Sequence, residues 1–207
     1  MGQRGLVPVK RRGDAGRICC GADFHPCEKR FIEPATAGFL PNWLREANAS
    51  VRDLRQRITQ ADADDFAGDL RVAFDAAFQM ALIRETGFTL VQTAGPGVLT
   101  ARPRVVDLVV AVPHTKARQP YGSAPQAGHG RLQVELRDAV TGTLPGRIHD
   151  WRQTPATAVG SSNYATSLRQ FRRLFDRWGE LCATELQDFR ALSPLPDAFV
   201  PNKKPPE

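Results

Sequence analysis

The chain has 207 residues, of which 42% are hydrophobic and 24% charged, so it can bury an ordinary core and is neither fibrous nor wholly disordered. This length fits one domain with tails, because domains usually contain about 100 to 200 residues. The net charge is +6, but residues 1–30 hold seven basic and three acidic residues, whereas residues 31–202 hold 19 and 18. The folded body lacks the basic excess that phosphate backbones attract, so no nucleic-acid partner is expected.

The chain is predicted to contain a single folded body between two irregular ends. Residues 1–50 show no sustained period of 2 or 3.6 and are predicted to be mostly irregular. We divide the chain into a basic irregular leader (1–36), a single α/β domain (37–192) and a disordered proline-rich tail (193–207). The leader has no apolar segment of the kind that forms a secretory signal.

Three of the four cysteines lie between residues 19 and 27, in the stretch Cys-Cys-Gly-Ala-Asp-Phe-His-Pro-Cys. Zinc is not indicated, because the neighbouring side chains of Cys19 and Cys20 point apart and no second ligand pair follows. The fourth cysteine, Cys182, lies on the apolar stripe of a predicted helix and is expected to be a buried hydrophobe. No residue pattern predicts a metal or another cofactor.

The first regular elements follow the leader. Phe39, Leu40 and Trp43 are predicted to attach the start of the domain to its core, and residues 50–58 form a weak strand candidate. An amphipathic helix is predicted to begin near Thr59, which has an acidic residue three positions on, and to end at Gly87. Its apolar face is rich in aromatic residues: Phe66, Leu70, Phe74, Phe78 and Leu82.

Strands are predicted after this helix, at residues 88–91 and 105–112, separated by a turn at 94–97. The apolar run at 105–112 is far shorter than the roughly 20 residues that cross a bilayer, so no transmembrane helix is predicted. Asp107 interrupts that run. A buried carboxylate needs a partner, and we expect Arg102 or Arg104 to supply it, with a role facing a pocket as the alternative.

Residues 113–130 are rich in proline, glycine and polar residues and are predicted to be a long loop. Loops of this length are either functional or disordered, and composition does not decide between the two. The loop contains His114, Tyr121 and His129, which join Asp107 as candidate functional positions. The two histidines could approach each other if the loop closed, which is a weak metal signal.

A hairpin and a second helix complete the predicted elements. Residues 131–137 alternate polar and apolar, and residues 144–151 return as the antiparallel partner. His149 and Asp150 are interpreted as a polar pair near the strand end rather than as phosphohydrolase ligands. The final helix, capped by Ser162 or Asn163, carries one apolar stripe: Leu168, Phe171, Phe175, Trp178, Cys182, Leu186 and Phe189. Two amphipathic helices each need a sheet to cover, so the fold class is α/β (α+β), a two-layer sandwich with a mostly antiparallel sheet.

Several short motifs resemble, in their order, the bacterial family named domain of unknown function 3313. The motifs span roughly residues 37–190 and are Ala-Gly-Phe-Leu at 37–40, Gly-Pro-Gly-Val-Leu at 95–99, Val-Val-Asp-Leu-Val at 105–109, Leu-Gln-Val-Glu-Leu-Arg-Asp at 132–138, Thr-Gly at 141–142 and Phe-Asp-Arg-Trp at 175–178. The resemblance implies an exported α/β protein with no known enzyme activity, held at the envelope by a lipidated cysteine. That cysteine would be Cys19 or Cys20, although Arg17 and Ile18 are not the small residues that precede such a cysteine. We therefore expect that the printed N-terminus is not the native one.

The leading functional hypothesis is a non-catalytic envelope protein that binds a protein partner by its sheet edge or its long loop. It would lie in the periplasm or at the outer membrane, reaching the membrane only through a lipid anchor, or in the cytoplasm if the printed N-terminus is native. The alternative is a small-molecule or metal-dependent enzyme that uses Asp107, His114, His129 and Asp150. Nucleic-acid binding through residues 1–30 is a third hypothesis, which the charge of the body does not favour.

Overall fold

The computed structural model describes residues 6–9, 15–19, 24, 29–49, 51–86, 89–110, 126–156 and 164–193. In chain order the strands are β1 (Leu6–Val9), β2 (Ala15–Cys19), β3 (Lys29–Ile32), β4 (Thr36–Phe39), β5 (Thr89–Leu90), β6 (Val98–Val110), β7 (Gly128–Asp138) and β8 (Gly146–Gln153). The α-helices are α1 (Trp43–Asn48), α2 (Gln60–Thr86) and α3 (Tyr164–Ala191). A short 3-10 helix covers Leu54–Gln56.

The strands form one mixed sheet in the order β1-β2-β8-β7-β6-β3-β5, with β4 also paired to β6. Neighbouring strands are antiparallel from β1 through β2, β8 and β7 to β6, whereas β3, β4 and β5 join through parallel pairings. The two long helices pack on each other, and α2 contacts β4 while α3 contacts β7 and β8. The predicted two-layer α+β sandwich is confirmed, with antiparallel pairing through its long strands.

The first long helix begins where the sequence predicts. The N–H of Asp62 donates to Thr59 Oγ1 at 3.2 Å, and the N–H of Thr59 donates to Asp62 Oδ2 at 2.9 Å, which is a reciprocal capping box. The five predicted core residues of α2, Phe66, Leu70, Phe74, Phe78 and Leu82, are all buried. The predicted aromatic face of this helix is therefore its core face.

The second long helix buries its apolar stripe against α2 and the sheet. Phe175 stacks on Trp178, and both rings meet Phe74 of α2 edge-on. The helices pack closely at Gly179, where an added Cβ would lie 2.6 Å from the Cβ of Ala81. Cys182 is fully buried, and burial raises the pKa of its thiol well above the usual range, so it packs as a hydrophobe, as predicted.

The predicted hairpin is confirmed as β7 and β8. Leu132, Val134 and Leu136 point into the core, and the residues between them are less buried. The turn that follows is closed by Asp138, whose Oδ1 accepts the N–H groups of Val140 and Thr141. These hydrogen bonds, that from Thr141 above all, lower the pKa of the Asp138 carboxyl.

The central strand β6 is longer than predicted and contains a proline. It begins at Val98 and pairs with β7 along most of its length. The register with the neighbours on its other side passes from Ile32↔Ala101 to Thr36↔Arg104. Pro103 therefore lies where β3 has ended and β4 has not begun, and a residue without an N–H is tolerated at such a break.

The prediction that residues 1–50 are mostly irregular is wrong where they are described. β1, β2, β3 and β4 all fall in this part of the chain, three of them within the predicted leader, and all belong to the main sheet. They have only four or five residues each, too few for a local period to reveal them, and β2, β3 and β4 pair with strands far along the chain. The predicted strand at 50–58 is wrong over its described part, residues 51–58, where Asp53 caps a 3-10 helix instead. The predicted caps at 162–163 and residues 194–207 of the tail lie outside the described residues.

The segment around Trp43 is attached to the core, as predicted. The Phe39 and Trp43 rings stack with centroids 4.1 Å apart, and Trp43 Nε1 donates to the Val110 carbonyl at 3.3 Å. Leu40 remains 37% exposed and contributes less than expected.

Among the described residues, no helix has both the length and the apolar content that crossing a bilayer requires.

Candidate functional site

The face of the sheet opposite the two long helices carries polar and aromatic side chains. Antiparallel pairing of β6, β7 and β8 arranges them in four rows: Arg102, Glu135 and Arg147; Arg104, Gln133 and His149; Val106, Arg131 and Trp151; Val109, His129 and Gln153. We name these positions, with Asp107, the open sheet face. Because side chains alternate along a strand, the residues between them point into the core.

Asp107 lies at a β-bulge in the open sheet face. The register passes from Val106↔Arg131 to Val109↔His129, which is three steps along β6 against two along β7. The backbone of Asp107 has a φ of 53°, a left-handed conformation that aspartate tolerates better than most residues. The strained backbone is a local feature of a kind that occurs often at functional sites.

The expected partners of Asp107 are corrected by the structure. Arg131 Nη1 lies 3.3 Å from Asp107 Oδ2, and both side chains are partly exposed. Arg102 instead forms an ion pair with Glu33 at 2.7 Å. The sequence prediction chose neighbours on the same strand, whereas the bulge turns Asp107 towards the adjacent strand.

Two glycines of β7 allow β6 to approach at the bulge. A Cβ on Gly128 would lie 1.8 Å from the carbonyl oxygen of Val109, and a Cβ on Gly130 would lie 3.0 Å from Leu108 Cδ2. Gly128 also has a φ of 155°. The Gly-His-Gly sequence at 128–130 is therefore the local signal for this irregularity, and it belongs to a strand rather than to the predicted loop.

His129 and Trp151 form an aromatic pair beside the bulge. Their ring centroids are 5.6 Å apart and the planes are inclined by 48°. Trp151 is 44% exposed although it lies on a strand of the main sheet. Sequence reasoning missed Trp151, but the signal was present, because the alternation of β8 places it on the same face as Arg147 and His149.

A carboxylate between two guanidinium groups lies at the other end of the open sheet face. Glu135 Oε2 accepts from Arg137 Nη2 at 2.8 Å, and Glu135 Oε1 accepts from Arg147 Nη2 at 2.9 Å. Burial opposes ionisation of Glu135, but the two arginines together outweigh it and lower the pKa of its carboxyl.

Asp150 does not join this face, which corrects its interpretation as one half of a polar pair with His149. It is 4% exposed and lies opposite the core residue Leu132. Its Oδ2 accepts the indole N–H of Trp178 at 2.8 Å and also accepts from Arg152 Nε. The sheet separates Asp150 from Asp107, so the two carboxylates cannot act in one active site.

The other candidate positions are placed only in part. His114 and Tyr121 lie outside the described residues, as does Cys20. Cys19 is the last residue of β2 and pairs with Leu6 of β1. Cleavage just before Cys19, which lipidation there requires, would remove β1 and most of β2 from the sheet. Within the described ranges, no three His, Cys, Asp or Glu residues group together as metal ligands would.

Comparison with known proteins leaves the family open. No protein-family model and no curated protein matches the chain. Among solved structures, the PelC dodecamer from Paraburkholderia phytofirmans is similar at 9% identity and a TM-score of 0.33, over 78% of this chain and 94% of that one. A Helicobacter pylori homolog of neuraminyllactose-binding hemagglutinin is similar at 10% identity and a TM-score of 0.38, over 91% and 98%. At these values neither similarity indicates what this chain binds.

Proposed function

We propose that the protein is a non-catalytic accessory module that binds a protein partner through its open sheet face. The observation that carries this proposal is the exposure of Trp151 beside His129 and Arg131, on the face that α2 and α3 leave uncovered. Tryptophan and arginine are the residues most enriched where binding energy concentrates in protein interfaces. A sheet holds their backbone rigidly, so binding does not have to order the main chain as well as the side chains.

The arrangement favours binding over catalysis. Two residues of the enzyme hypothesis lie on this face, Asp107 and His129, and each already contacts a neighbour, respectively Arg131 and Trp151. Asp150, the other described residue of the enzyme hypothesis, lies across the sheet. The face is also built on three long strands whose inner sides form the core, as a recognition surface needs to be.

The cellular location belongs to this proposal as well. Resemblance to the family named domain of unknown function 3313 supports a place in the periplasm or at the outer membrane, with an envelope protein as the partner. A lipid anchor at Cys19 is not part of the proposal, because β2 is paired to β8 through Ala15↔His149 and neighbouring positions. Fractionation of the native host tests the location: recovery with cytoplasmic markers alone would contradict it.

Site-specific crosslinking tests the binding face. A photoreactive phenylalanine derivative at position 151 should capture one envelope protein in cells, identified by mass spectrometry. The variant Trp151→Ala should then lose co-purification of that protein, and Leu54→Ala, which removes a 72% exposed apolar side chain elsewhere, should retain it. Equal retention by both variants would contradict the proposal. Leu54→Ala should unfold near the wild-type urea midpoint, since exposed substitutions rarely change stability by more than about 0.5 kcal/mol. Trp151→Ala also loses the ring contact with His129, so urea unfolding is used to confirm that this variant remains cooperatively folded.

A further inference from the structure

We infer that the segment bound by the open sheet face is an extended acidic polypeptide that lies along β6, β7 and β8. This inference rests on the proposed function and adds the chemistry of the partner. It follows from the charge of the face, from the arginine that is left without an acid, and from the spacing of the side chains.

Charge is the first argument. Among the side chains that the structure describes on and beside the open sheet face, arginine outnumbers acid by five to three: Arg102, Arg104, Arg131, Arg137 and Arg147 against Glu33, Asp107 and Glu135. Lys29 on β3 adds a further exposed cation at the edge of this region. A partner with a small number of carboxylates would neutralise the excess.

The distribution of ion pairs shows where that excess lies. Glu33 pairs with Arg102, Asp107 pairs with Arg131, and Glu135 serves both Arg137 and Arg147. Arg104 is exposed, and among the described residues it has no carboxylate partner. It stands in the central row of the face, opposite Gln133. The Arg104 guanidinium is therefore open to a ligand, and Arg137 and Arg147 have a single carboxylate, Glu135, between them.

Spacing favours an extended chain. Arg102 and Arg104 are two residues apart on β6, so their Cα atoms lie about 6.6 Å apart, the same repeat as alternate side chains of an extended peptide. Trp151 is two strands away, about 9.5 Å across the sheet. An extended segment with acidic residues at two alternate positions can therefore meet both arginines, while an apolar residue at the next alternate position, on the same side of the segment, reaches towards the indole.

The face suits discrete carboxylates better than a densely charged polymer. Asp107 and Glu135 would repel a continuous run of phosphates or uronates, and the body of the chain, residues 31–202, has only 19 basic against 18 acidic residues. Binding a phosphate backbone instead depends on an excess of cations that releases many counterions. A polypeptide can place its acidic residues between these two carboxylates.

Fluorescence anisotropy tests the inference on the full-length protein, with a labelled peptide that carries glutamate at two successive alternate positions, tyrosine at the next alternate position and serine between them. The double variant Arg102→Gln and Arg104→Gln should weaken binding about tenfold at low salt. The control Arg172→Gln and Arg173→Gln removes the same charge from the exposed side of α3 and should bind like wild type. Equal weakening by both pairs, or binding of an oligouronate as tight as that of the peptide, would overturn the inference.

Failure of the inference can be separated from failure of the proposed function. Suppose that Trp151→Ala abolishes capture of the cellular partner but the double variant Arg102→Gln and Arg104→Gln does not. The face then binds a protein, but the bound segment is not acidic. If neither change affects capture, the proposed function fails together with the inference. Circular dichroism and urea unfolding of each variant confirm that the comparison concerns folded protein.

Discussion

Trp178 donates its indole N–H to the carboxylate of Asp150 across 2.8 Å and so joins α3 to β8. Asp150 also accepts from Arg152, whose side chain is partly exposed beside the same helix. Both groups on the core side, the Asp150 carboxylate and the Trp178 ring, are almost fully buried. A buried carboxylate is tolerated only when such donors compensate for its lost hydration.

Removing the Asp150 carboxylate should therefore cause a large loss of stability. Asp150→Ala leaves the Trp178 N–H and the Arg152 guanidinium without their acceptor, and the expected loss is about 3–5 kcal/mol of unfolding free energy. Asp150→Asn keeps an oxygen acceptor and should lose clearly less. Urea unfolding followed by tryptophan fluorescence measures both, and equal losses would contradict a hydrogen-bonding role.

The backbone at Asp107 gives a prediction with an unusual sign. Asp107→Gly and Asp107→Ala both remove the ion pair with Arg131, so the difference between them reports the backbone alone. At a φ of 53°, a Cβ is unfavourable by about 1 kcal/mol or more, so the glycine variant should be the more stable. In an ordinary strand position alanine would not be the worse residue. Thermal unfolding of the two variants decides this, and a more stable alanine variant would contradict the bulge.

Replacing Gly179 by alanine is expected to destabilise the protein, which is the opposite of what helix propensity alone predicts. Glycine in a helix interior is usually about 1 kcal/mol less favourable than alanine, so Gly179→Ala would normally stabilise. Here the new methyl would lie 2.6 Å from the Cβ of Ala81, and the strain should destabilise by about 1–3 kcal/mol.

Restoring the space on the other helix provides the control. The double variant Gly179→Ala with Ala81→Gly should recover part of the lost stability, because Ala81 on α2 supplies the atom nearest the added methyl. Strict additivity of the two single changes in urea unfolding would mean that the helices do not meet closely at this point.

The sequence predicted the features that depend on interactions between residues close together in the chain, and missed those that depend on distant residues. The capping box at Thr59 and Asp62 and the alternation of Leu132, Val134 and Leu136 involve residues within a few positions, and these predictions are confirmed. β2 pairs with β8, more than a hundred residues away, and its five residues have no period of their own. Strands of this kind become stable only once the rest of the sheet exists, so local patterns do not reveal them.

The same distinction applies to the candidate site. Asp107 and His129 stood out in sequence as a charge in an apolar run and as a histidine in a predicted loop, and the structure places both on the open sheet face. Their contacts, Arg131 and Trp151, depend on cross-strand register. The bulge sets the register between β6 and β7 at this point, and Gly128 and Gly130 leave room for it. The partner of Asp107 therefore could not be found by searching its own strand.

Glu135 gives a prediction for pH dependence. Burial opposes its ionisation, but Arg137 and Arg147 lower its pKa below the usual 4.5, so in the folded protein the carboxylate binds a proton less readily than in the unfolded chain. Its contribution to stability is thus fully present above pH 4.5 and is lost as pH falls through the lower, folded pKa. Glu135→Gln should reduce the unfolding free energy by about 1 kcal/mol at pH 7, and the difference should vanish in acid. Glu46→Gln, at an exposed glutamate of α1, is the matched control for loss of one carboxylate and should change the unfolding free energy at pH 7 by no more than about 0.5 kcal/mol. A constant difference for Glu135→Gln in urea unfolding between pH 3 and pH 7 would mean that its two ion pairs do not stabilise the sheet.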